Sequence, residues 1–489
     1  MTSHPVLRVP ATLLVEEVRR LQDELEITPD FPAEVERAAR DAAARPVLPE
    51  LDRTDLPFVT IDPDGARDLD QALHVERWAP GPDGPGGWTV HYAIADVAAF
   101  VRPGDPVDLE AHRRGETLYG AGGKVPLHPP VISEEAASLL PGEVRPALLW
   151  TIRLGPDGER VAADVRRALV RSREQLTYEE AQRRVDAGPV VGAGQDGPDG
   201  TLALLAEIGP LRIAREVERG GVSLPIPEQD VVVDGGRWHL EHRARLPVEE
   251  WNAQVSLLTG FSAAAMMLEG GVGLLRTLPP PDPRDVARLR RTARGLGVGW
   301  PAEQSWADLV RGLDPTRADH AAMVVACTRL LRGSGYTAFD GTRPEQPLHS
   351  ALASAYAHVT APLRRLPDRH TGEVCVALCA GTEVPAWARE ALPGLPATMQ
   401  RSGRTASAYE RGVLDLVEAG VLRDRVGEVM DAVVVDVEER RPERGRVVVP
   451  GPAVEARVEG EQPLPLGQDL RVRLVEADVA QRRVLFAPA

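Results

Sequence analysis

The first apolar pattern of the chain recurs at the spacing of an α-helix. One face of a predicted helix over residues 12–26 carries the apolar side chains Leu13, Leu14, Val18 and Leu21. A second helix is predicted over residues 32–45, and Pro32 suits its first turn. We therefore expect a small helical N-terminal domain over residues 1–50, with a helix-turn-helix-like arrangement as one candidate.

From Phe58 onward the pattern changes to the short apolar runs and the alternation that are typical of β-strands. Three strands are predicted before residue 102, with the sequences FVTID, ALHVE and WTVHYAIADVAAFV. The Pro- and Gly-rich residues 80–87 are predicted to form the hairpin loop between the second and the third. Beyond them, the pattern predicts strands over residues 145–170 and 222–246, helices over 178–187 and 200–219, and a loop over 188–200.

The pattern changes twice more toward the C-terminus. Helices dominate the prediction from residue 248 to about residue 420, and five short strands follow. That number and spacing of strands favours a small barrel such as an OB-fold. The chain is therefore predicted to be α+β, with a large mixed-sheet domain and its helices over residues 51–424 and a C-terminal barrel over residues 425–489.

Composition limits the class of protein. A chain of 489 residues is too long for a single core, so two to four domains are expected. No apolar run approaches the roughly 18 residues of a membrane span, and residues 1–10 lack the pattern of a secretory signal. The chain contains three cysteines without metal-ligand spacing: Cys327, Cys375 and Cys379. We therefore expect a reduced, cytoplasmic protein with no membrane partner.

The net charge of −16 is unusual for a protein that binds nucleic acid. Binding requires positive charge along the phosphate track and not over the whole molecule. Local clusters of basic residues are present: Arg288, Arg290 and Arg291; Arg364 and Arg365; and Arg440, Arg441, Arg444 and Arg446. Lys124 is the only lysine, a bias that we attribute to genome composition. Composition alone neither supports nor excludes RNA as a partner.

Residues 60–72 carry the densest candidate chemistry. Four aspartates fall within nine positions: Asp62, Asp64, Asp68 and Asp70. Carboxylates that converge repel one another unless a cation offsets their charge, and their oxygens suit Mg²⁺. A solvated turn also fits this spacing, because Pro-Asp-Gly is a strong turn signal. An EF-hand loop does not fit, because Gly65 stands at the fourth loop position instead of the sixth.

The same segment resembles the catalytic signature of the RNase II / RNase R (RNB-domain) family of 3′→5′ exoribonucleases. Asp62, Asp68 and Asp70 match the first three of the family's four metal-site aspartates, and Gln71 stands where the family has the fourth. Further blocks resemble the family in the same order along the chain: residues 91–120, 125–148, 175–182, 219–228 and 349–371, and the pair Glu410-Arg411. The resemblance spans about residues 52–420 and continues more loosely through the C-terminal barrel.

The chain also departs from the family pattern. Leu278 stands where the family commonly has His, and Ser256 where it usually has Asn. Residues 1–50 do not match the two cold-shock domains that are usual before the catalytic domain. We interpret these departures as drift within a subfamily.

The resemblance implies a role for each candidate residue. Asp62, Asp68, Asp70 and Gln71 would hold Mg²⁺, with Mn²⁺ as an alternative ion; Asp68, Asp70 and Arg364 would carry catalysis; and Tyr119, Arg365, Glu410, Tyr356 and His358 would bind substrate. In particular, Arg364 would clamp the scissile phosphate. Glu410 would accept hydrogen bonds from the terminal ribose. Tyr119 would stack on a base.

The resemblance therefore implies a processive exoribonuclease that uses Mg-activated water to hydrolyse single-stranded RNA to nucleoside 5′-monophosphates. The C-terminal barrel would be an RNA-binding OB-fold of the S1 type. A monomer is the default expectation. Gln71 keeps open a different class, an RNA-binding protein of the same fold whose catalytic site has decayed. A metal-dependent phosphodiesterase acting on DNA or nucleotides is a further alternative.

Overall fold

The computed structural model describes residues 9–81, 86–120, 123–188, 197–224, 228–234, 237–243, 245–449 and 454–489. The strands are β1 (Val9–Pro10), β2 (Phe58–Ile61), β3 (Gln71–Trp78), β4 (Gly87–Ala95), β5 (Leu118–Gly120), β6 (Gly123–Val125), β7 (Val144–Leu154), β8 (Arg160–Leu176), β9 (Glu228–Asp234), β10 (Arg237–Arg243), β11 (Val272–Thr277), β12 (Gly335–Asp340), β13 (Leu348–His349), β14 (Ser354–Ala355), β15 (Val429–Glu438), β16 (Arg441–Val449), β17 (Val454–Glu459), β18 (Asp469–Asp478) and β19 (Arg483–Pro488).

The helices are α1 (Ala11–Glu24), α2 (Ala33–Ala44), α3 (Pro106–Arg114), α4 (Tyr178–Ala187), α5 (Pro198–Arg219), α6 (Pro247–Gly270), α7 (Pro283–Gly295), α8 (Trp306–Arg311), α9 (Ala318–Cys327), α10 (Leu366–Ala380), α11 (Ala386–Ala391) and α12 (Leu395–Leu422). A π-helical segment spans Val131–Ala136. The mixture of helices and sheets confirms the predicted α+β class.

The central sheet closes into a five-stranded barrel in the order β2-β3-β4-β7-β8. β2 and β8 pair in parallel and the other neighbours are antiparallel, so the predicted mixed sheet is confirmed. The barrel forms because its strands carry buried apolar residues, among them Val59, Leu73, Val90, Trp150 and Ile152. Burial of such side chains is the main favourable contribution to folding.

Two regions differ from the predicted elements. Residues 145–170 form two strands, β7 and β8, joined by a turn in which the Gly155 amide donates to the Glu159 carbonyl at 2.9 Å. Within the predominantly helical region, β11 and β12 pair as antiparallel strands. β11 begins with a short apolar run, which periodicity alone does not distinguish from buried helix, and β12 has no regular apolar alternation. Of the predicted loops, residues 82–85 and 189–196 lie outside the described residues.

The C-terminal strands close into a second barrel in the order β15-β16-β17-β19-β18, as expected of an OB-type domain. Phe486, Val434 and Leu474 are fully buried in it. The long helix α12 contacts this barrel through β18 and β19 and also contacts β5 near the first barrel. It therefore connects the two barrels.

The N-terminal helices pack on two different cores. Leu14 of α1 is buried with residues of α12 and of the C-terminal barrel. Val35 and Ala39 of α2 are buried with Phe58 and other residues near the first barrel. The domain limits predicted at residues 50 and 424 stay predictions.

Among the described helices, none has the combination of length and apolar character that a membrane-spanning helix requires. Cytoplasmic location and a monomeric state stay predictions.

Candidate active site

The acidic segment leaves the barrel at the end of β2 and returns at the start of β3. The Asp62 amide donates to the Leu176 carbonyl of β8 at 3.0 Å, which fixes the start of the segment. Gly65 has a φ of 74°, a left-handed value that glycine tolerates, and it lets the chain turn. Asp64 is exposed at this turn, whereas Asp70 is buried. The segment therefore contains both a solvent-exposed turn, as Pro-Asp-Gly predicted, and a carboxylate that faces the interior.

Asp70 is held between the barrel and the loop that carries Arg364. Its Oδ1 accepts a hydrogen bond from the Leu363 amide at 2.8 Å, and its Oδ2 lies 3.7 Å from Arg364 Nε. Burial raises the pKa of Asp70 to about 8, and the charges of Asp368 and Asp68 act in the same direction. Arg364 and the Leu363 amide oppose this rise in pKa. The carboxylate therefore gains from any cation placed beside it.

Asp62 presents a free oxygen to the same centre. Its Oδ2 is buried and has no hydrogen-bond partner among the residues that the structure describes. Burial and the neighbouring charge of Asp68 raise the pKa of Asp62 to about 7. The charge of Asp68 thus acts on both Asp62 and Asp70, while a common metal site for the three carboxylates stays a prediction.

Asp68 is already paired with a basic side chain. Lys124 Nζ lies 2.6 Å from Asp68 Oδ1 and 3.0 Å from Glu134 Oε1. Burial disfavours the ammonium, but these two ion pairs hold the pKa of Lys124 above its usual value. Lys124 was not among the predicted site residues.

The donors fit a hard divalent cation in an open site. Across the described ranges, no group of three or more His, Cys, Asp or Glu side chains is placed to enclose an ion. Mg²⁺ does not need such a cage, because it typically uses one or two carboxylates together with substrate phosphate and water. Asp62, through its free Oδ2, and Asp70 could supply those carboxylates.

The Gln71 amide is engaged at both ends. Its Oε1 accepts a hydrogen bond from the Tyr92 hydroxyl at 2.5 Å, and its Nε2 donates to the Thr360 carbonyl at 2.6 Å. The Ser256 hydroxyl donates to Thr360 Oγ1 at 3.1 Å and lies 3.4 Å from the Tyr92 hydroxyl. Gln71 thus ties the barrel to the start of the arginine loop. Its role as a metal ligand stays a prediction.

The two arginines of residues 364–365 differ in environment. The Arg364 side chain is 45% exposed and is available to a ligand, whereas Arg365 is largely covered and donates to Asp368 Oδ2 at 2.9 Å. Asp368 also accepts from the Ala361 amide at 2.8 Å, so it fixes the loop before α10. A cavity of about 580 Å³ is lined by Gln71, Arg364, Arg365 and Tyr356, among others. The structure thus brings four of the predicted residues to one cavity.

Tyr356 and His358 lie in an aromatic group under this loop. Their ring centroids are 5.4 Å apart, and His358 Nδ1 is 2.7 Å from the Tyr336 hydroxyl. Burial lowers the pKa of His358 well below its usual value, so its ring is neutral at pH 7. Tyr356 is buried and His358 is partly buried, and their contact with substrate stays a prediction.

Tyr119 lies on the hairpin formed by β5 and β6, directly opposite Lys124. The ring is 46% exposed, and burial of its hydroxyl beside the acidic centre raises the pKa of Tyr119 to about 12. The Thr117 amide donates to the Arg364 carbonyl at 2.9 Å, and the Leu366 amide donates to the Gly115 carbonyl at 3.0 Å. These backbone bonds join the hairpin to the arginine loop.

Glu410 is exposed on α12 and lines a second cavity, of about 1020 Å³. Glu116 lines the same cavity, and its Oε1 accepts a hydrogen bond from the Ser402 hydroxyl at 2.8 Å. Burial raises the pKa of Glu116. This cavity therefore contains two carboxylates, of which the sequence analysis identified Glu410.

Comparison with known proteins identifies the family. The RNB domain matches residues 51–373, about two thirds of the chain, and the RNase II-type exonuclease C-terminal S1 domain matches residues 428–489. The chain belongs to the RNB-domain family. The predicted resemblance to the RNase II / RNase R group is thereby confirmed.

Two relatives of the RNB protein illustrate the extent of the similarity. It is 27% identical to Ribonuclease R of Escherichia coli over 412 residues, which cover 79% of this chain and 48% of that one. It is 27% identical to Exoribonuclease 2 of Serratia proteamaculans over 480 residues, with coverage of 90% and 71%. The RNB protein spans about half the length of the first relative.

Solved structures show that the fold is shared. The apo form of Mycoplasma genitalium RNase R superposes with a TM-score of 0.85 at 17% identity, covering 97% of this chain and 78% of that chain. Its complex with ribose methylated single-stranded RNA gives 0.84 at the same identity and coverage. Yeast Ssd1, described as a pseudonuclease, gives 0.68 at 17% identity, with coverage of 96% and 57%. The RNB fold thus includes both nucleases and a pseudonuclease.

The sequence analysis of the RNB protein missed Lys124 and Glu116. Glu116 lies in the family block over residues 91–120, which was assigned as a whole, and Lys124 lies between that block and the next. A signal for Lys124 was present, because a single lysine in a chain of arginines is a residue-specific choice. The pairing of Ser256 with Thr360 was not predictable, since it depends on the packing of α6 against the arginine loop.

Proposed function

We propose that this RNB protein is a 3′→5′ exoribonuclease that shortens single-stranded RNA stepwise to nucleoside 5′-monophosphates. The observation that carries the proposal is the position of Arg364 beside Asp70, in a segment that also carries Asp62 and Asp68. Arg364 offers a cation to a phosphate, and the carboxylates offer oxygen ligands on its other side. This pairing of charges suits hydrolysis of a phosphodiester.

The side chains divide the task between them. Arg364 would bind the scissile phosphate with its planar guanidinium and offset charge that develops there. Asp70 limits the freedom of Arg364 and is itself fixed by the Leu363 amide. Asp62 and Asp70 would hold Mg²⁺, or Mn²⁺ in its place. When bound, the ion would supply activation of the attacking water and would offset negative charge on the phosphate.

Selectivity for an RNA 3′ end would come from contacts beyond the phosphate. The exposed ring of Tyr119 would stack on a base near the terminus, which any sequence permits. Glu410 and Glu116 line one cavity and could accept hydrogen bonds from ribose hydroxyls, groups that DNA lacks in part. Passage of a single strand past these groups would favour repeated cleavage without release.

A second candidate function is that of an RNA-binding protein without nuclease activity. The observation that favours it is the Gln71 amide, which lacks negative charge and is occupied by Tyr92 and Thr360. The similarity in fold to yeast Ssd1, a pseudonuclease, is compatible with it. We prefer the enzyme, because Asp70 lies beside Arg364 and the charge of Arg364 also acts on Asp62.

The experiment that tests the proposal measures release of nucleoside monophosphates from poly(A) with Mg²⁺, and again with EDTA. We expect release that depends on Mg²⁺ and is abolished by EDTA. Poly(dA) serves as a parallel substrate and distinguishes a DNA-directed phosphodiesterase. If the protein binds poly(A) but releases no monophosphate at any Mg²⁺ or Mn²⁺ concentration, the exoribonuclease proposal is rejected in favour of an RNA-binding protein without nuclease activity.

A further inference from the structure

The only lysine of the chain lies at the acidic centre. The sequence contains 57 basic residues, and every one except Lys124 is an arginine. The β5–β6 hairpin places Lys124 opposite Tyr119 and directs its ammonium between Asp68 and Glu134. The side chains of the three residues are 16–23% exposed, so the ion pairs are partly shielded from solvent.

Lysine and arginine are not equivalent in this position. An ammonium is a compact point charge with three donors, whereas a guanidinium is a planar fork that spreads its charge. Two carboxylates that approach one point, at 2.6 and 3.0 Å from Nζ, match the compact ion. Carboxylate oxygens from two residues are also a partial ligand set for a divalent ion, whose remaining ligands would be water and substrate phosphate.

The carboxylates at the centre fall into two pairs, and a different basic side chain contacts a member of each pair. On one side Asp62 has a free buried oxygen and Asp70 faces Arg364. On the other side Asp68 and Glu134 are joined by Lys124. Hydrolytic sites of this kind often use two metal ions about 4 Å apart, which together stabilise the attacking and the leaving oxygen.

We propose that the Lys124 ammonium takes the place of a second cation at Asp68 and Glu134, so that this centre holds a single divalent ion at Asp62 and Asp70. The inference rests on the proposed function of this site. Lys124 is a positioning residue here, because its ammonium neutralises Asp68 and orients this carboxylate. Unlike a bound metal ion, the ammonium is part of the chain and cannot dissociate into solution. Gln71, which brings no charge, fits a centre with one divalent ion.

The test counts Mn²⁺ ions bound to the full chain by electron paramagnetic resonance, in the absence of RNA. We expect one ion for the wild type, two for Lys124→Met and one for Lys124→Arg, which keeps the charge. Arg166→Met is the matched control, because it removes a basic residue from an exposed ion pair with Asp164 on β8. It should leave the count at one.

Activity is measured separately, as monophosphate release against Mg²⁺ concentration. Lys124→Met should change the dependence on Mg²⁺ from first order toward second order. Two ions on the wild type, none, or an unchanged count in a folded Lys124→Met would overturn the inference. If Lys124→Met does not fold, Lys124→Gln replaces it. Lys124→Gln also removes the positive charge, so it should bind two ions where the wild type binds one. Correct ion counts without any RNA cleavage would retain the inference and reject the proposed function.

Discussion

At the scale of single residues, Asp70 is buried, is fixed by the Leu363 amide and lies beside Arg364. We predict that Asp70→Asn lowers the rate of RNA cleavage by about 100-fold or more, because the amide removes charge where it is required. RNA affinity should persist, since it arises from many contacts along the strand. Single-turnover cleavage and filter binding measure the two effects. Asp64→Asn is the control, because Asp64 is exposed at the turn and should retain activity. Retention of more than a few per cent of the rate in Asp70→Asn would show that Asp70 is misassigned.

A substitution at Gln71 distinguishes the two candidate functions, exoribonuclease and RNA-binding protein without nuclease activity. We predict that Gln71→Asp lowers the Mg²⁺ concentration needed for half-maximal activity, because it restores an anionic group. The variant should also lose about 1–3 kcal/mol of unfolding free energy, since an ionised Asp cannot donate to the Thr360 carbonyl. Mg²⁺ titration of activity and urea denaturation measure these changes. A wild type that is inert at all metal concentrations, with cleavage switched on by Gln71→Asp, would contradict the prediction.

The residue scale also shows what the sequence could reveal. The proximity of Asp68 to Asp62 and to Asp70 was predictable, because the three aspartates are closely spaced along the chain. The ion pair of Lys124 with Asp68 was not predictable, because it depends on a hairpin that begins some fifty positions further along the chain. Local pattern does not specify such contacts.

At the scale of elements, the β5–β6 hairpin carries Tyr119 over the acidic centre. We predict that Tyr119→Ala lengthens the final RNA product while changing the rate on long RNA less. Loss of one stacked base should cost roughly 1–3 kcal/mol, which matters most when few nucleotides remain bound. A labelled oligonucleotide resolved by length provides the measurement. Tyr119→Phe keeps the ring and should give the wild-type product. An unchanged product ladder in Tyr119→Ala would exclude the stacking role.

The elements themselves were predictable to different degrees. Alternating apolar residues identified the strands of both barrels, because alternation reflects one buried face. The pair β11 and β12 escaped prediction, because each strand has only six residues and lies in a predominantly helical part of the chain. Closure of the central sheet was also not predictable, since pairing of β2 with β8 joins residues more than one hundred positions apart.

At the scale of the whole molecule, α1 packs in one core with α12 and the C-terminal barrel. Leu14 is fully buried there, and Val15, beside it, is 40% exposed. We predict that Leu14→Ala lowers the free energy of unfolding by about 2–5 kcal/mol, because it leaves a cavity in a shared core. Val15→Ala should change the free energy of unfolding far less. Urea denaturation followed by circular dichroism measures both. Equal effects of the two substitutions would show that α1 does not contribute to this core.

The backbone bonds that join residues 115–117 to residues 364–366 tie the chain that leads into the strand of Tyr119 to the loop that carries Arg364. Under the proposed function, the terminal base and the bond to be cut are then gripped by one rigid frame. Such a frame would act as a gauge, because it would determine which phosphodiester bond lies at Arg364 when the terminal base contacts Tyr119. The uniform size of the product would therefore be a property of the backbone, independent of which base is removed.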